Sequence, residues 1–228
     1  MSSFVLKIIA CITMFFDHLS YAIYGKTSFL NYIGRISFPI FAFQIAQGYT
    51  HTKNLNKYII RLFVFAIISQ IPFYLFCSTF TTPSLNIFFT LLLGLFAIIS
   101  YDKLKNKFLS LFLIFGLAML AELIKTDYGA FGVLLILTFF VFKNSKINTL
   151  LSFFTILVIN YGKRIIDVYL ECGYQPKYSF TQISFAVCTF LAIIPILLYD
   201  NKQGPKMKYF LYLFYPIHLF VLYFSIVF

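Results

Sequence analysis

Charged residues are scarce in this sequence. Only 11% of its 228 residues are Asp, Glu, Lys or Arg, against roughly 25% in an ordinary soluble domain. Hydrophobic residues make up 61%, so the chain lacks the polar side chains that a water-exposed surface of this size requires. The composition therefore excludes a soluble globular domain and indicates a protein that faces lipid.

The sequence also lacks the features of several other classes. No polar linker divides it, so we interpret residues 1–228 as a single domain. No small-x-small cleavage site follows the first apolar run, which argues against a removable signal peptide. The four cysteines show no CxxC motif and no Cys/His spacing, so we expect no metal site.

A series of long apolar runs makes up most of the chain. Because lipid cannot hydrogen-bond to the backbone, such runs cross a membrane as α-helices, and a comfortable span takes about 17–25 residues. Nine runs can be distinguished: 4–24, 33–50, 58–78, 85–101, 108–124, 129–142, 147–161, 180–199 and 208–228. We predict an all-α fold, a polytopic transmembrane helix bundle of about nine spans, with eight and ten as the limits.

Positive charge is unequally divided between the two sides of this predicted bundle. Twelve of the eighteen Lys and Arg residues fall on the side of the N-terminus: Lys7, Lys53, Lys57, Arg61, Lys103, Lys105, Lys107, Lys143, Lys146, Lys202, Lys206 and Lys208. By the positive-inside rule this side, with the N-terminus, is cytoplasmic. These residues lie in short loops beside hydrocarbon, so the net charge of +11 does not indicate nucleic-acid binding. We expect a multi-pass protein of a bacterial inner or plasma membrane.

The first run carries ionisable residues at membrane depth, where they are costly and by default indicate a functional site. His18 follows Lys7 by eleven residues, which is about three helical turns and about 16 Å of rise, so both lie on one helix face. A stripe thus connects a cytoplasmic cation to a buried imidazole. Asp17 points about 100° away from His18. The simpler alternative is that Asp17 and His18 only pair with neighbouring helices.

The second run adds Arg35 at its outer end, near the level of His18, and Gln44 in its interior. Hydrogen bonding between helices explains Gln44 as well as a ligand contact does. The connection to the third run is basic and aromatic. Together with the first run it forms a cytoplasmic rim of basic side chains: Lys7, His51, Lys53, Lys57 and Arg61. The positive-inside rule alone accounts for such a rim; the functional alternative is a seat for the phosphates of a cytosolic donor.

Further polar residues near the ends of runs predict a vestibule on the outer side. Gln70, Asn86 and Tyr128 lie near the end of the third run and at the starts of the fourth and sixth. Each alone is equally well explained as a helix-end or loop residue, and together they are candidates for substrate contacts. The last run places Tyr215 and His218 well inside the membrane, and we interpret them as part of a substrate path.

These segments resemble the TraX family, whose named member is the conjugative F-pilin N-acetylase. The matching segments are LKIIACITMFFDH, GRISFPIFAFQIAQGYTHTKN, YIIRLFVFAIISQIPF, LNIFFTLLLGL, DYGAFGVLLIL and YLFYPIHLFVLY. They extend from the first run to the last, so the resemblance covers nearly the whole chain. The spacing of Lys7 and His18, the residues around Arg35, and the Tyr–Pro–x–His motif ending in His218 are also similar to the wider membrane acyltransferase-3 group.

The resemblance implies an integral membrane acyltransferase that uses acetyl-CoA as acyl donor and binds no permanent cofactor. It implies that His18 is the essential residue, as general base or as transient acyl carrier. We place Asp17 and Arg35 beside it in the catalytic group, and either Arg35 or an Asn or Gln side chain could stabilise the oxyanion that develops in such a reaction. The donor phosphates would bind the cytoplasmic rim, where Lys7 replaces the arginine usual in this motif. The acceptor would be an amine or hydroxyl of a membrane-embedded or extracytoplasmic protein or glycan, such as a pilin N-terminus.

Two other classes of function remain open. A small-molecule or proton-coupled transporter would use Asp17, His18 and His218 as a relay, and would often show repeated halves with broken helices. The sequence shows no such repeat. A non-enzymatic membrane assembly factor would tolerate substitution of His18. We prefer the acyltransferase because of the resemblance.

Overall fold

The computed structural model describes residues 1–25, 27–80, 84–205 and 208–227. Lys206, one of the twelve cations counted above, lies outside these ranges, as does Phe228 at the end of the last run. The described residues form eleven α-helices, and the only β-type pairing among them is an isolated bridge between Leu85 and Thr126. The predicted all-α class is therefore confirmed.

Each of the nine apolar runs coincides with one helix or with a pair of helices. The second run begins at the end of α2 and continues through α3, and the eighth run is divided between α9 and α10. The helices are α1 Ser3–Tyr24, α2 Phe29–Gly34, α3 Ser37–His51, α4 Leu55–Cys77, α5 Ile87–Lys103, α6 Lys107–Leu123, α7 Gly129–Val141, α8 Lys146–Cys172, α9 Pro176–Phe190, α10 Ile193–Leu197 and α11 Lys208–Val227.

Four stretches of described helix are long and apolar enough to cross a membrane. They are Ser3–Tyr24, Leu55–Cys77, Lys146–Cys172 and the stretch Pro176–Leu197, which combines α9 with α10. Shorter apolar helices occupy Gly129–Val141 and Tyr212–Val227. These helices support a membrane protein, whereas the number of spans and the orientation of the N-terminus stay predictions.

Helix α8 is longer than the run that predicted it. The apolar run ends at residue 161, but the helix continues through Lys163, Arg164 and Asp167 to Cys172. A helix needs no continuous apolar face to persist, because polar residues of good helix propensity, such as Lys163 and Arg164, can extend it. It ends at Gly173, whose φ of 72° is readily adopted by glycine.

Side-chain caps fix where several helices begin. Ser2, Asn54, Asn86, Asn106 and Ser145 each accept a hydrogen bond from a backbone N–H in the first turn of the following helix. These N–H groups have no partner within the helix, so the caps satisfy donors that would otherwise be left without one.

Short connections make successive helices antiparallel, so the connections alternate between two opposite ends of the bundle. The lysine-rich end comprises the start of α1, the α3–α4, α5–α6 and α7–α8 connections, and residues 198–205. The opposite end comprises the end of α1 and the α4–α5, α6–α7 and α8–α9 connections. Backbone hydrogen bonds join each end: Ser3 N–H donates to Lys202 O at the first, and Asp127 N–H donates to Leu85 O at the second.

The interior is formed by α1, α3, α4, α5, α7 and α11, which supply most of the large buried core cluster. Helices α5 and α7 pack closely because two glycines lie at their contact. A Cβ atom at Gly94 would collide with Ile136, and one at Gly132 would collide with Thr90. The outer helices α6 and α8 expose large apolar side chains such as Phe112 and Phe154, as expected of surfaces that face lipid.

Candidate active site

Two histidines, from the first and the last helix, meet inside the bundle. His18 Nδ1 and His218 Nε2 are 2.9 Å apart, which is hydrogen-bond distance. His218 Nδ1 lies 2.7 Å from the carbonyl oxygen of Phe214, one turn earlier in α11. His218 is buried and His18 half-buried. The two histidines that the sequence singled out therefore form one pair.

Aromatic side chains enclose this pair. The His18 ring packs edge-to-face on Phe76, with the ring centroids 5.6 Å apart, and contacts Tyr215 at 6.3 Å. The His218 ring stacks on Phe214 at 4.8 Å and meets Phe15 at 6.4 Å. Such packing restricts rotation of both imidazoles, so the hydrogen bond between them is held in place from several sides.

Asp17 and Arg35 bind each other next to His18. Arg35 Nη2 donates to Asp17 Oδ1 at 2.6 Å, and Asn31 Nδ2 donates to the same oxygen at 3.1 Å. Ser20 Oγ donates in turn to Asn31 Oδ1 at 2.6 Å. The guanidinium also lies 5.0 Å from the centre of the Phe185 ring. This network ties α2 to α1 and leaves the Asp17 carboxylate engaged with other helices rather than with the His18 ring.

A cavity of about 560 Å³ opens at the lysine-rich end and extends into the bundle. Its mouth includes exposed residues of the connecting segments, such as Lys53, Gln203 and Pro205. Its inner part is aromatic and aliphatic, with Phe41, Leu62, Phe88 and Leu91 among its walls. The cavity thus joins a basic entrance to an apolar interior.

Most of the predicted donor-binding residues line this cavity. Lys7, His51, Lys53 and Arg61 belong to its wall, whereas Lys57 is exposed and lies outside the described wall. Gln44, predicted as a substrate contact, lines the cavity as well. It also bonds to α1, because Ser3 Oγ donates to Gln44 Oε1 at 2.8 Å.

The cavity reaches toward His18 without including it in its described wall. Met14 and Tyr215 line the inner part. Met14 lies one helical turn, or about 6 Å of rise, before His18, and the Tyr215 ring packs against the imidazole. Tyr215 is therefore the direct contact between the cavity and the histidine pair.

Two polar atoms of the cavity wall lack partners within the described part of the chain. Arg61 Nε is buried and makes no hydrogen bond, although the guanidinium lies 5.7 Å from the Tyr58 ring and 5.5 Å from the Tyr212 ring. The Tyr215 hydroxyl lies beside the backbone of Ile87 but also makes no hydrogen bond of good geometry. Buried donors without partners are costly, and both belong to residues that line the same cavity.

Gln70 and Asn86, predicted as substrate contacts, bind each other and the backbone. Asn86 Nδ2 donates to Gln70 Oε1 at 2.9 Å and to the Ala66 carbonyl at 2.7 Å, while Asn86 Oδ1 caps α5 at Phe88 N. Gln70 Nε2 donates to Ser84 O at 2.9 Å. These bonds connect α4 to α5, so the geometry favours a structural role over the predicted substrate contact.

Tyr128, the remaining predicted vestibule residue, precedes α7 and is half-buried. Its ring stacks on Phe38, with centroids 3.5 Å apart and planes at 6°. The backbone N–H of Tyr128 lies 3.4 Å from Thr90 Oγ1. These contacts join α3, α5 and α7 at the opposite end of the bundle.

The relay that a transporter would need is not continuous in hydrogen bonds among the described residues. His18 bonds to His218, but the side-chain bonds of Asp17 go to Asn31 and Arg35. The described residues also contain no group of three or more His, Cys, Asp or Glu arranged to hold a metal ion.

Sequence reasoning missed several residues around the pair. The hydrogen bond between His218 and the Phe214 carbonyl could have been predicted from the sequence, because a side chain at position i of a helix can reach the carbonyl at i−4. Tyr58 and Tyr212 flank Arg61 and could have been noticed as aromatic neighbours of a basic rim. Phe76 gave no signal, since an apolar residue in an apolar helix carries no information about a distant partner.

Comparison of the sequence with known proteins identifies the family of this chain. The family model described as TraX protein matches residues 2–225. The chain is also similar to the "Probable fimbrial assembly protein FimC, serogroup H1" of Dichelobacter nodosus, with 28% identity over 242 aligned residues, covering 97% of this chain and 94% of the relative. No solved structure matches the chain. Because the family match covers almost every residue, this chain belongs to the TraX family.

Proposed function

We propose that this chain is an integral membrane acyltransferase that moves an acetyl group from cytosolic acetyl-CoA to an amine or hydroxyl of a membrane-embedded or extracytoplasmic acceptor. One observation carries the proposal: a cavity with basic side chains at its mouth ends against Tyr215, whose ring packs on His18. The lysine-rich end then faces the cytoplasm of a bacterial cell, as the positive-inside rule requires.

The cavity suits a donor that is anionic at one end and reactive at the other. Phosphates would bind near the mouth, where Arg61 has a buried Nε–H without a partner, Lys7 and Lys53 add positive charge, and His51 adds a side chain that can form hydrogen bonds. A guanidinium and ammonium groups are the usual ligands of phosphate. The thioester would lie at the inner end, beside Met14 and Tyr215.

The chemistry assigned to His18 is removal of a proton from the acceptor. As the acceptor nitrogen or oxygen attacks the thioester carbon, a new C–N or C–O bond forms and the imidazole takes the proton. The C–S bond then breaks, and the proton passes to the departing sulfur of CoA. In the second route, the imidazole attacks the thioester carbon, the C–S bond breaks, and CoA leaves as the thiolate. The acceptor then attacks the acetyl group on the imidazole, the C–N bond to the imidazole breaks, and the acceptor proton passes to the thiolate.

The developing oxyanion needs a hydrogen-bond donor, and we now prefer Tyr215 for this role over Arg35. Tyr215 lines the inner part of the cavity, and its hydroxyl is buried without a partner of good geometry. Arg35 is already engaged with Asp17 at 2.6 Å. A donor that is positioned before the reaction stabilises the transition state without reorganisation. We assign to Asp17 and Arg35 the task of fixing α2 beside His18.

The acceptor is proposed from the relatives. The similar protein of Dichelobacter nodosus bears a name that assigns it to fimbrial assembly, and the TraX resemblance implies a pilin N-terminus as one acceptor. A glycan with a free hydroxyl is the other acceptor class, because a family can keep its chemistry and change its acceptor.

Donor binding can be tested without knowing the acceptor. The thermal unfolding midpoint of the purified protein in detergent is measured with no ligand, with acetyl-CoA and with CoA. A ligand that binds the folded state raises the midpoint by mass action, so both nucleotides are expected to raise it. Arg61→Gln should reduce the shift, and Lys57→Gln, outside the cavity wall, should not.

Two outcomes would overturn the donor assignment. One is no shift of the midpoint with acetyl-CoA at concentrations up to the millimolar range. The other is a shift that Arg61→Gln leaves unchanged, since binding elsewhere on the protein would then explain it.

A further inference from the structure

His218 uses both ring nitrogens within the protein. Nδ1 lies 2.7 Å from Phe214 O and Nε2 lies 2.9 Å from His18 Nδ1. The side chain is 5% exposed and does not belong to the described wall of the cavity. Both ring nitrogens are therefore engaged within the protein, which favours a positioning role for His218 over the substrate contact predicted from the sequence.

The hydrogen bonds of His218 determine which nitrogen carries its proton. The Phe214 carbonyl oxygen can only accept, so His218 Nδ1 is the donor and carries the hydrogen. A neutral imidazole has a single N–H, which leaves His218 Nε2 as an acceptor. The hydrogen between the two rings must then come from His18 Nδ1. It follows that His18 carries its proton on Nδ1 and has its lone pair on Nε2.

We propose that His218 is a positioning residue that fixes His18 in the Nδ1–H tautomer and thereby makes His18 Nε2 the proton-accepting atom. This inference rests on the proposed function, since it assigns the atom with which His18 acts. Histidine without such a partner favours the Nε2–H tautomer, in which Nε2 cannot accept a proton. The backbone carbonyl of Phe214 sets the direction of this series of hydrogen bonds, because a carbonyl oxygen can accept a hydrogen bond but cannot donate one.

No carboxylate performs this task among the described residues. In many active sites a carboxylate accepts the second N–H of a catalytic histidine. Here Asp17, the acidic neighbour of His18 in sequence, receives its side-chain hydrogen bonds from Asn31 and Arg35. A neutral imidazole in place of a carboxylate avoids a second buried negative charge beside Asp17, which would be costly in this apolar interior.

The same bond also stabilises His18 after it has accepted a proton. The imidazolium then donates from Nδ1 to a neutral nitrogen, and a hydrogen bond with an ionised donor is stronger than a neutral one. Part of the positive charge is thereby shared with His218 and, through its Nδ1–H, with the Phe214 carbonyl. Arg35 donates no hydrogen bond to either histidine, because its side-chain hydrogen bonds go to Asp17 and to the Asn31 carbonyl.

The tautomers can be measured directly, because the chain contains only three histidines. The protein is labelled with ¹⁵N at its imidazoles and purified in detergent, and two-bond ¹H–¹⁵N correlations distinguish the Nδ1–H from the Nε2–H form. His51→Ala assigns the third histidine. Two variants test the partner: His218→Gln, whose side-chain oxygen can still accept from His18, and His218→Leu, which cannot accept.

We expect the wild type to show His18 and His218 both as Nδ1–H tautomers. In His218→Leu, His18 should change toward the Nε2–H form, and acetyl transfer should fall by roughly 100-fold or more, the scale of a lost general base. His218→Gln should keep the His18 tautomer and remain within about tenfold of wild-type transfer, which is the conservative rescue. The acetyl-CoA shift of the unfolding midpoint should be equal in all three proteins.

The proposal is overturned if wild-type His18 is the Nε2–H tautomer, or if His218→Leu leaves the His18 tautomer unchanged. Equal loss of transfer in both variants with an unchanged tautomer also contradicts it. If His218→Leu does not fold, the wild type and His218→Gln still decide the tautomer. Absence of acetyl transfer in the wild type would contradict the proposed function, while the tautomer would still be measured independently.

Discussion

Arg35 Nη2 and Asp17 Oδ1 lie 2.6 Å apart, and this ion pair joins the start of the second apolar run to the residue next to His18. The two side chains are 21% and 17% exposed, so the pair is largely shielded. Removing one partner of a buried pair leaves an uncompensated charge and costs about 3–5 kcal/mol. Arg35→Gln is therefore expected to lower the unfolding midpoint substantially.

A double-mutant cycle tests the origin of that loss. Asp17→Asn with Arg35→Gln removes both charges, and the double variant should be more stable than either single one. Asp102→Asn, at an exposed carboxylate that accepts from Tyr49 OH, is the control and should change the midpoint little. Strict additivity of the two single substitutions would contradict a direct interaction.

Arg61 and Lys57 lie one turn apart in α4, but only Arg61 lines the cavity. Arg61→Gln should raise the KM for acetyl-CoA about tenfold or more, because a hydrogen bond to a charged group contributes about 1.5–3 kcal/mol. Lys57→Gln, which removes the same charge, should leave KM within about twofold. Steady-state kinetics at physiological ionic strength provide the comparison. An equal effect of both substitutions would indicate that general surface charge attracts the donor.

Asn86 was predicted as a substrate contact, and its hydrogen bonds suggest a structural role that can be tested. Asn86→Ala loses the cap of α5 and the bonds to Gln70 and Ala66, which together cost at least about 2 kcal/mol. Asn106→Ala, which removes an exposed cap, should cost about 1 kcal/mol. Transfer per folded molecule should be unchanged in both. A raised KM for the acceptor in Asn86→Ala would restore the substrate role.

Tyr215 provides a test of the oxyanion assignment. Tyr215→Phe keeps the aromatic contact with His18 and removes only the hydroxyl, so kcat should fall by roughly 100-fold, as when one oxyanion donor is lost. Donor binding should be unchanged. The control is Tyr161→Phe, which removes another buried hydroxyl, bonded to Thr189 at 2.8 Å, and should leave kcat as it is. A raised KM with unchanged kcat in Tyr215→Phe would show that the hydroxyl only holds the donor.

The helical fold was predictable because apolar runs of this length have few alternatives. Each run falls on described helix, and the rule that lipid cannot satisfy backbone groups explains why. The break within the eighth run was not predictable, because that run contains no interruption in hydropathy, whereas the break between α2 and α3 lies at the charged residue Arg35. The extension of α8 beyond residue 161 was missed for the opposite reason, since polar residues continue a helix that the apolar pattern no longer indicates.

Contacts between site residues that are far apart in the chain could not be predicted from the sequence. Residue spacing indicates that Lys7 and His18 share a face, but no spacing shows that His218, 200 residues from His18 in the chain, lies against it. The intrahelical bond from His218 to Phe214 follows from helix geometry, whereas the contact of Tyr215 with the cavity depends on how α11 packs on α1 and α4. The basic rim was found from charge alone, which could not separate Lys57 from its cavity-lining neighbours.

The most direct test of the central claim follows labelled acetyl groups. Membranes that contain the wild type, His18→Ala or neither protein at matched expression are incubated with acetyl-CoA labelled in the acetyl group, and label is measured in protein N-termini and glycans. The wild type should transfer label above background, and His18→Ala should lose at least about 100-fold of that transfer while keeping the acetyl-CoA shift in stability. Equal transfer by wild type and His18→Ala would contradict the claim that His18 carries the reaction.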